Sequence, residues 1–195
     1  MRKYCCRFIG EVRHKMKRVD KIIGERIFLE ALDHEEFSVA YVEWMRDEEV
    51  LRYLTGRTKA YSHEELKEYI AKTNENPSEC LFGIFLKESG VHIGNIKIGG
   101  IDPMEKTANV GLLIGNKSMR GKGYATEAIE LITRFAFDRL NLTRLTAGMV
   151  ADNIGSFKAF IKAGYEAMEH SGRQETLNGR IVDIKQVEKC TVRVS

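Results

Sequence analysis

The sequence predicts a mixed α/β single domain, and three observations carry that expectation. The first is size: 195 residues are enough for one domain with a proper core, and less than two independently folded domains usually need. The second is composition, 43% hydrophobic and 30% charged with only 2 Pro, which excludes a mainly disordered chain, a collagen-like chain and a disulfide scaffold. The third is the order of periodic segments: strand, helices, three strands, helix, strand, helix, strands.

The segments are justified in turn. Glu25–Ala31 reads as a first strand, and Asp33 is placed to cap a helix running to about Arg46, with Phe37, Ala40, Tyr41 and Trp44 at helical spacing. Tyr41 and Trp44 at that spacing read as core. A short turn over Glu48–Leu54 precedes a helix from Ser62 to about Lys72, where Ser62-His-Glu-Glu65 forms a capping box. Cys80–Lys87, Val91–Ile101 and Thr107–Ile114 read as strands, the first two joined at Glu88-Ser-Gly90. In the second of these, Val91 and Ile93 share one face while Ile96 and Ile98 fall on the other. That phase slip predicts a bulge or a close backbone contact beside Gly94. Val110, Leu112 and Ile114 alternate cleanly. A helix from about Gly123 to Leu140 then shows one apolar stripe, Ala125, Ala128, Ile129, Ile132, Phe135 and Ala136. A strand at Arg144–Val150, a helix at Asn153–Lys162 and strands around Tyr165–Glu169 and Ile181–Thr191 complete the order.

Charge divides the chain unevenly. Residues 1–21 hold eight bases and two acids, a net of +6, while the other 174 residues hold 23 bases and 26 acids, a net of −3. A basic leader (residues 1–21) thus precedes a mildly acidic domain (residues 22–195). The total of +3 is too small to announce nucleic-acid binding. The leader lacks the run of roughly seven apolar residues of a secretory signal, and no segment approaches the ~18 of a membrane span. It also lacks the Ser of a transit peptide, and Met16 offers a second start. The expectation is a cytoplasmic protein with no membrane and no nucleic-acid partner, its leader outside any catalytic role.

Cys5 and Cys6 are adjacent and cannot form an ordinary unstrained bridge with each other, and with Cys80 and Cys190 they make no C-x-x-C spacing. His14, His34, His63, His92 and His170 show no metal-binding spacing. Reduced thiols and no metal are the expectation.

The stretch that carries chemistry is Arg120-Gly-Lys-Gly-Tyr-Ala-Thr-Glu127, between a strand and an amphipathic helix. Gly121 and Gly123 let the backbone turn tightly and approach a ligand. The helix start supplies unpaired N–H groups and a favourable dipole, and Arg120 and Lys122 add full charges. Together these make a site for a phosphate or diphosphate. A P-loop is excluded because five residues separate Gly115 from Gly121 and Gly123 follows Lys122. A Rossmann loop is excluded because Thr126 holds its third glycine position.

This loop resembles the coenzyme A signature of the GNAT superfamily of N-acetyltransferases, [QR]-x-x-G-x-[GA], through Arg120, Gly123 and Ala125. Thr126-Glu127-Ala128 continues in the manner of its RimJ/RimL-like branch. Asn153-x-x-Ser156-x-x-x-Phe160-x-Lys162-x-Gly164-Tyr165 is similar to that branch's second cofactor motif. Leu177-Asn-Gly179 with Asp183 resembles its C-terminal hairpin, and Trp44-x-x-Asp47-x-x-Val50-x-x-Tyr53 its acceptor-side helices. The resemblance spans about residues 22 to 190.

It implies a central, mostly antiparallel twisted sheet of about seven strands flanked by helices, with acetyl-CoA as co-substrate and an amine acceptor, either a small molecule or a peptide N-terminus. A homodimer is compatible with it. The implied cofactor residues are Leu112 and Ile114, then Arg120, Gly121, Lys122, Gly123, Tyr124, Ala125 and Thr126, and finally Asn153, Phe160 and Lys162. Asn153 reads equally as a plain helix cap, and the two roles can coexist. Many family members donate the leaving-group proton from a Tyr where this chain has Phe160; in the RimJ/RimL-like branch the Ser of the Asn-x-x-Ser motif takes that role, and the resemblance makes Ser156 the candidate acid. Asn109 stands near the usual position of a base, leaving Asp102 and Glu105 as substitutes. Without a base, an acceptor of low pKa is favoured, since an α-amine titrates near ~8 and a lysine near ~10.4. The competing readings are an acyl-CoA-binding regulatory domain without catalysis and a nucleic-acid module using the leader.

Overall fold

The computed structural model describes residues 21–54, 61–168, 172–177 and 179–191. All of the leader but Lys21 lies outside these residues. Two short segments open the chain: β1 (Ile22–Ile23) and β2 (Ile27–Ala31), antiparallel with Ile23 opposite Phe28. The expected first strand is thus broken at Gly24-Glu-Arg, where Gly24 N donates to Ile27 O at 2.8 Å.

The helix expected from Asp33 begins later. Asp33 Oδ1 accepts from Glu35 N at 2.7 Å in a local turn, and Ser38 caps α1 (Val39–Trp44) through Ala40 N. An aspartate followed by an exposed Glu-Glu pair closes a turn as readily as it starts a helix. Asp47 caps a further turn, α2 (Glu48–Leu51). The capping box is present at α3 (His63–Glu75), with Glu65 N donating to Ser62 Oγ at 3.1 Å and Ser62 N to Glu65 Oε2 at 2.8 Å.

The central strands are β3 (Cys80–Leu86), β4 (His92–Asp102) and β5 (Thr107–Ile114). Ile84 pairs with Gly94 but Phe85 with His92, so Ile93 is the extra residue of a bulge. The bulge reverses the parity, and Ile93, Ile96 and Ile98 all enter one core. A Cβ at Gly94 would run into the Leu113 carbonyl, so the bulge and the close contact coincide.

A single turn at Lys117–Met119 leads into α4 (Tyr124–Asp138), followed by β6 (Arg144–Val150) and α5 (Ile154–Lys162). The chain ends in β7 (Glu166–Ala167), β8 (Gln174–Leu177) and β9 (Arg180–Cys190). Strand β7 is two residues, shorter than expected, and β8 adds a strand on β9. Among the described residues the sheet runs β1-β2-β3-β4-β5-β6-β9-β7, antiparallel except between β5 and β6. Strand β5, helix α4 and strand β6 form the one parallel crossover in this order.

Alternation along the strands fills two cores. Cys80, Phe82 and Ile84 join Ile129, Ile132 and Phe135 of α4 and Phe160 of α5, while Leu81 and Phe85 join Trp44, Leu66 and Ile70 of the early helices. Cys80 and Cys190 are free cysteines, the first buried. No helix among the described residues is long and apolar enough to cross a membrane.

Candidate active site

Strands β5 and β6 pair over only three positions, Thr107–Asn109 with Arg144–Thr146, although both continue well beyond. Past the third pair they separate, and β5 presents an unpaired edge from Val110 onward. A cavity of about 560 Å³ lies here, with Leu112, Leu113 and Ile114 on one wall and the residues after β6 and along α5 on the other. Its ends are formed by α2 and by the glycine loop before α4.

The loop end is built for an anion. Gly121 and Gly123 stand at φ +74° and +86°, in the left-handed region that glycine tolerates, and Gly121 has open space where a Cβ would be. Gly123 is the N-cap of the 15-residue α4, and no side chain caps that end. The first N–H groups of α4 therefore face the cavity with the positive end of the helix dipole behind them. These features suit an anion.

The loop is gripped by Arg26, in the turn just before β2, a residue that sequence reasoning did not single out. Its Nη1 donates to Lys122 O at 2.9 Å, and its Nε to Glu127 Oε2 at 3.0 Å. Its guanidinium also lies over the Tyr124 ring, 4.8 Å from the centroid. Glu127, only 13% exposed in its side chain, accepts in addition from Arg26 N at 2.8 Å and Ile27 N at 3.2 Å.

The expected residues separate into those that meet at the cavity and those that do not. Leu112, Ile114, Arg120, Gly121, Gly123, Tyr124, Ala125, Thr126, Asn153, Ser156 and Lys162 all line it. Asn153 is a helix cap as well, its Oδ1 accepting from Ser156 N at 3.2 Å. Lys122 belongs to the loop through its backbone and is not a lining residue. Phe160 is a correction: it is 2% exposed and packs edge-on against Tyr165, so it belongs to the core under α5. Tyr165 is equally remote from proton transfer. Its hydroxyl contacts Thr133 Oγ1 at 2.9 Å, and burial raises its pKa to about 12.

Asp102 and Glu105 are a further correction. They lie at the β4–β5 turn, where Asp102 Oδ1 accepts from Met104 N and Glu105 N. Asp102 pairs with Thr107, five residues from Leu112 along β5, or roughly 17 Å at strand rise. Asn109 donates to Thr146 Oγ1 at 3.3 Å across the last parallel pair.

The carboxylates that do reach the cavity are Glu49, on α2, and Asp152, in the turn after β6. Glu49 Oε1 accepts from Arg120 Nη1 and Oε2 from Lys117 Nζ, each at 2.9 Å. The Lys117 hydrogen bond holds the Glu49 carboxyl below its usual pKa. Tyr53, beside them in the cavity wall, also packs on a small core of Val150, Leu177 and Ile184. Leu177 precedes the β8–β9 turn, where Leu177 is opposite Arg180. Among the described residues no group of His, Cys, Asp or Glu side chains is arranged to hold a metal.

The sheet is divided between β5 and β6, and the uncapped terminus of α4 stands at one end of the opening. The chain belongs to the GNAT acetyltransferases: the family described as Acetyltransferase (GNAT) domain matches residues 26–166. YjcK, a probable N-acetyltransferase of Bacillus subtilis (strain 168), is 33% identical over 106 residues, 54% of this chain but only 58% of that protein. The uncharacterized N-acetyltransferase p20 of Bacillus licheniformis is 26% identical over 168 residues, 85% of this chain and 93% of its own. In fold, the chain is similar to a spermidine N-acetyltransferase from Vibrio cholerae solved in complex with CoA and spermine, with a TM-score of 0.74 at 20% identity, covering 86% and 96% of the two chains. This chain is an acetyl-CoA-dependent acetyltransferase.

Proposed function

We propose that the enzyme acetylates an amine of low basicity, the α-amino group of a peptide or the amine of an amino sugar, and that it belongs with the RimJ/RimL-like branch. In this reading the α4 terminus and Arg120 take the diphosphate. The free edge of β5 and the side chain of Asn153 align the pantetheine arm, an arrangement that holds the two reactants together. The amine nitrogen attacks the acetyl carbonyl directly: the C–N bond forms, the C–S bond breaks, the nitrogen releases its surplus proton to water, and the thiolate takes one from Ser156, which water reprotonates. A backbone N–H at the β5 edge polarises the carbonyl, and Ser156 supplies the thiolate's proton. Its position in the cavity supports that role.

The observation that carries the acceptor class is the state of the carboxylates. Asp102 and Glu105 stand outside the cavity, Glu49 is neutralised by two cations, and Asp152, in the turn after β6, is left among the described residues as the one carboxylate to be tested as a base. An amine with an appreciable neutral fraction near pH 7 suits such a site, and a lysine ε-amine does not. The same reading makes the protein cytoplasmic, without a metal in its chemistry and with residues 1–21 outside the catalytic unit.

The test is acetyl transfer over peptide N-termini, amino sugars, polyamines and amino acids, with pH–rate profiles on a peptide pair that offers either an α-amine or an internal lysine. Turnover is expected on the α-amine or the amino sugar, and preference for the internal lysine removes the proposal. Asp152→Asn is the second arm. A neutral acceptor needs no base, so kcat/KM should hold within a few-fold. A loss of about 100-fold or more, the scale of general base catalysis, assigns the proton to Asp152 and overturns the acceptor argument.

A further inference from the structure

Two nitrogens of the Arg120 guanidinium are engaged. Its Nε donates to Ile114 O at 3.1 Å, which fixes the group at the end of β5, and its Nη1 donates to Glu49 Oε1 at 2.9 Å. The other oxygen of the same carboxylate is held by Lys117 Nζ at 2.9 Å, and Lys117 also takes Asp47 Oδ2 at 2.8 Å. Glu49 therefore spans two cations that flank the glycine loop, and it does so inside the cavity. A carboxylate and a phosphate seek the same guanidinium N–H donors, and Glu49 holds Nη1 with one oxygen. The diphosphate proposed for the loop and the Glu49 carboxylate thus compete for one partner.

We propose that Glu49 is a positioning residue that competes with the diphosphate of acetyl-CoA for Arg120 and so couples the cofactor end of the cavity to α2. The inference rests on the reading of the glycine loop as the diphosphate site. When the diphosphate takes Arg120, two phosphate charges stand beside Glu49 and repel it. Lys117 holds both Glu49 and Asp47, so Glu49 can leave Arg120 and stay paired. Its carboxylate then remains in the cavity on the α2 side, with Tyr53 one turn along the chain.

The test is calorimetric titration of wild type, Glu49→Gln, Arg120→Gln and the double variant with acetyl-CoA, beside the KM for acetyl-pantetheine, which carries the same thioester but no diphosphate. Glu49→Gln should tighten acetyl-CoA by about two- to five-fold, the scale of one exposed ion pair, and the gain should fade as salt rises. It should leave the KM for acetyl-pantetheine unchanged and add nothing in the Arg120→Gln background. Unchanged or weaker acetyl-CoA binding by Glu49→Gln, or an equal change with acetyl-pantetheine, overturns the proposal. Wild type that turns over acetyl-pantetheine but gains nothing from the diphosphate of acetyl-CoA overturns the loop assignment itself and this inference with it.

Discussion

Glu127 accepts the backbone N–H groups of Arg26 and Ile27, at the start of β2, and the Nε of Arg26 from a position in the first turn of α4. Its charge suits a helix N-terminus, and its three donors sit about a hundred residues earlier in the chain. Glu127→Ala should lower stability by about 1–3 kcal/mol, since it strands partly buried donors, and urea denaturation checks it. Residues of this kind mark the limit of legibility. Ser62, Asn153 and Gly123 could be read because a cap or a left-handed turn depends on neighbours within four residues. Arg26 and Glu49 could not, because their partners lie 96 and 71 positions away, and a charge run says nothing about which charge it will face. Asp102 and Glu105 failed for the same reason, since proximity to a strand in sequence does not say which end of it is open.

At the level of elements, helix α4 joins the sheet to the proposed cofactor site. Its buried face, including Ala128, Ile129, Leu131, Ile132 and Phe135, packs on the sheet, while its N-terminus opens on the cavity. Replacing both Gly123 and Ala125 with bulkier residues should abolish CoA binding by calorimetry while circular dichroism keeps the helical signal. Gly123 alone needs a left-handed φ, which costs an L-residue about 1–2 kcal/mol, and a Cβ there would come within 3.2 Å of Arg26 Nη2. Retained CoA affinity would take the loop out of the site. The amphipathic stripe of α4 and the three central strands were plain in the sequence because each repeats its period several times. The turn at Asp33 and the two-residue β7 were not, because elements so short are decided by packing.

Across the whole molecule, burial sets limits on both sides of neutral pH. His92 is 7% exposed, stacked on Phe85 and close to Trp44, and desolvation lowers its pKa. Its folded value lies below the unfolded ~6.5, so stability is complete above that pH and falls as pH drops toward the folded value. Hydrogen bonding and pairing with Lys67 and Lys117 lower Glu35, Asp47 and Glu49 in the same sense, with effect below their ordinary values near 4.5, 3.8 and 4.5. In the opposite direction, burial raises Cys80 to about 12, and stability is lost as pH climbs above 9.0. Thermal melts should therefore show an acid limb that opens between pH 7 and 5, and His92→Leu should flatten that limb while leaving the alkaline one. An identical limb in the variant assigns the loss to other groups. The parting of β5 from β6 has one more consequence. Only three residue pairs sew the two halves of the sheet together, and the walls beyond them owe nothing to the ladder. Side chains along that fissure that are not also core residues, such as Ser156 and Lys158, can be exchanged without unpicking a stitch.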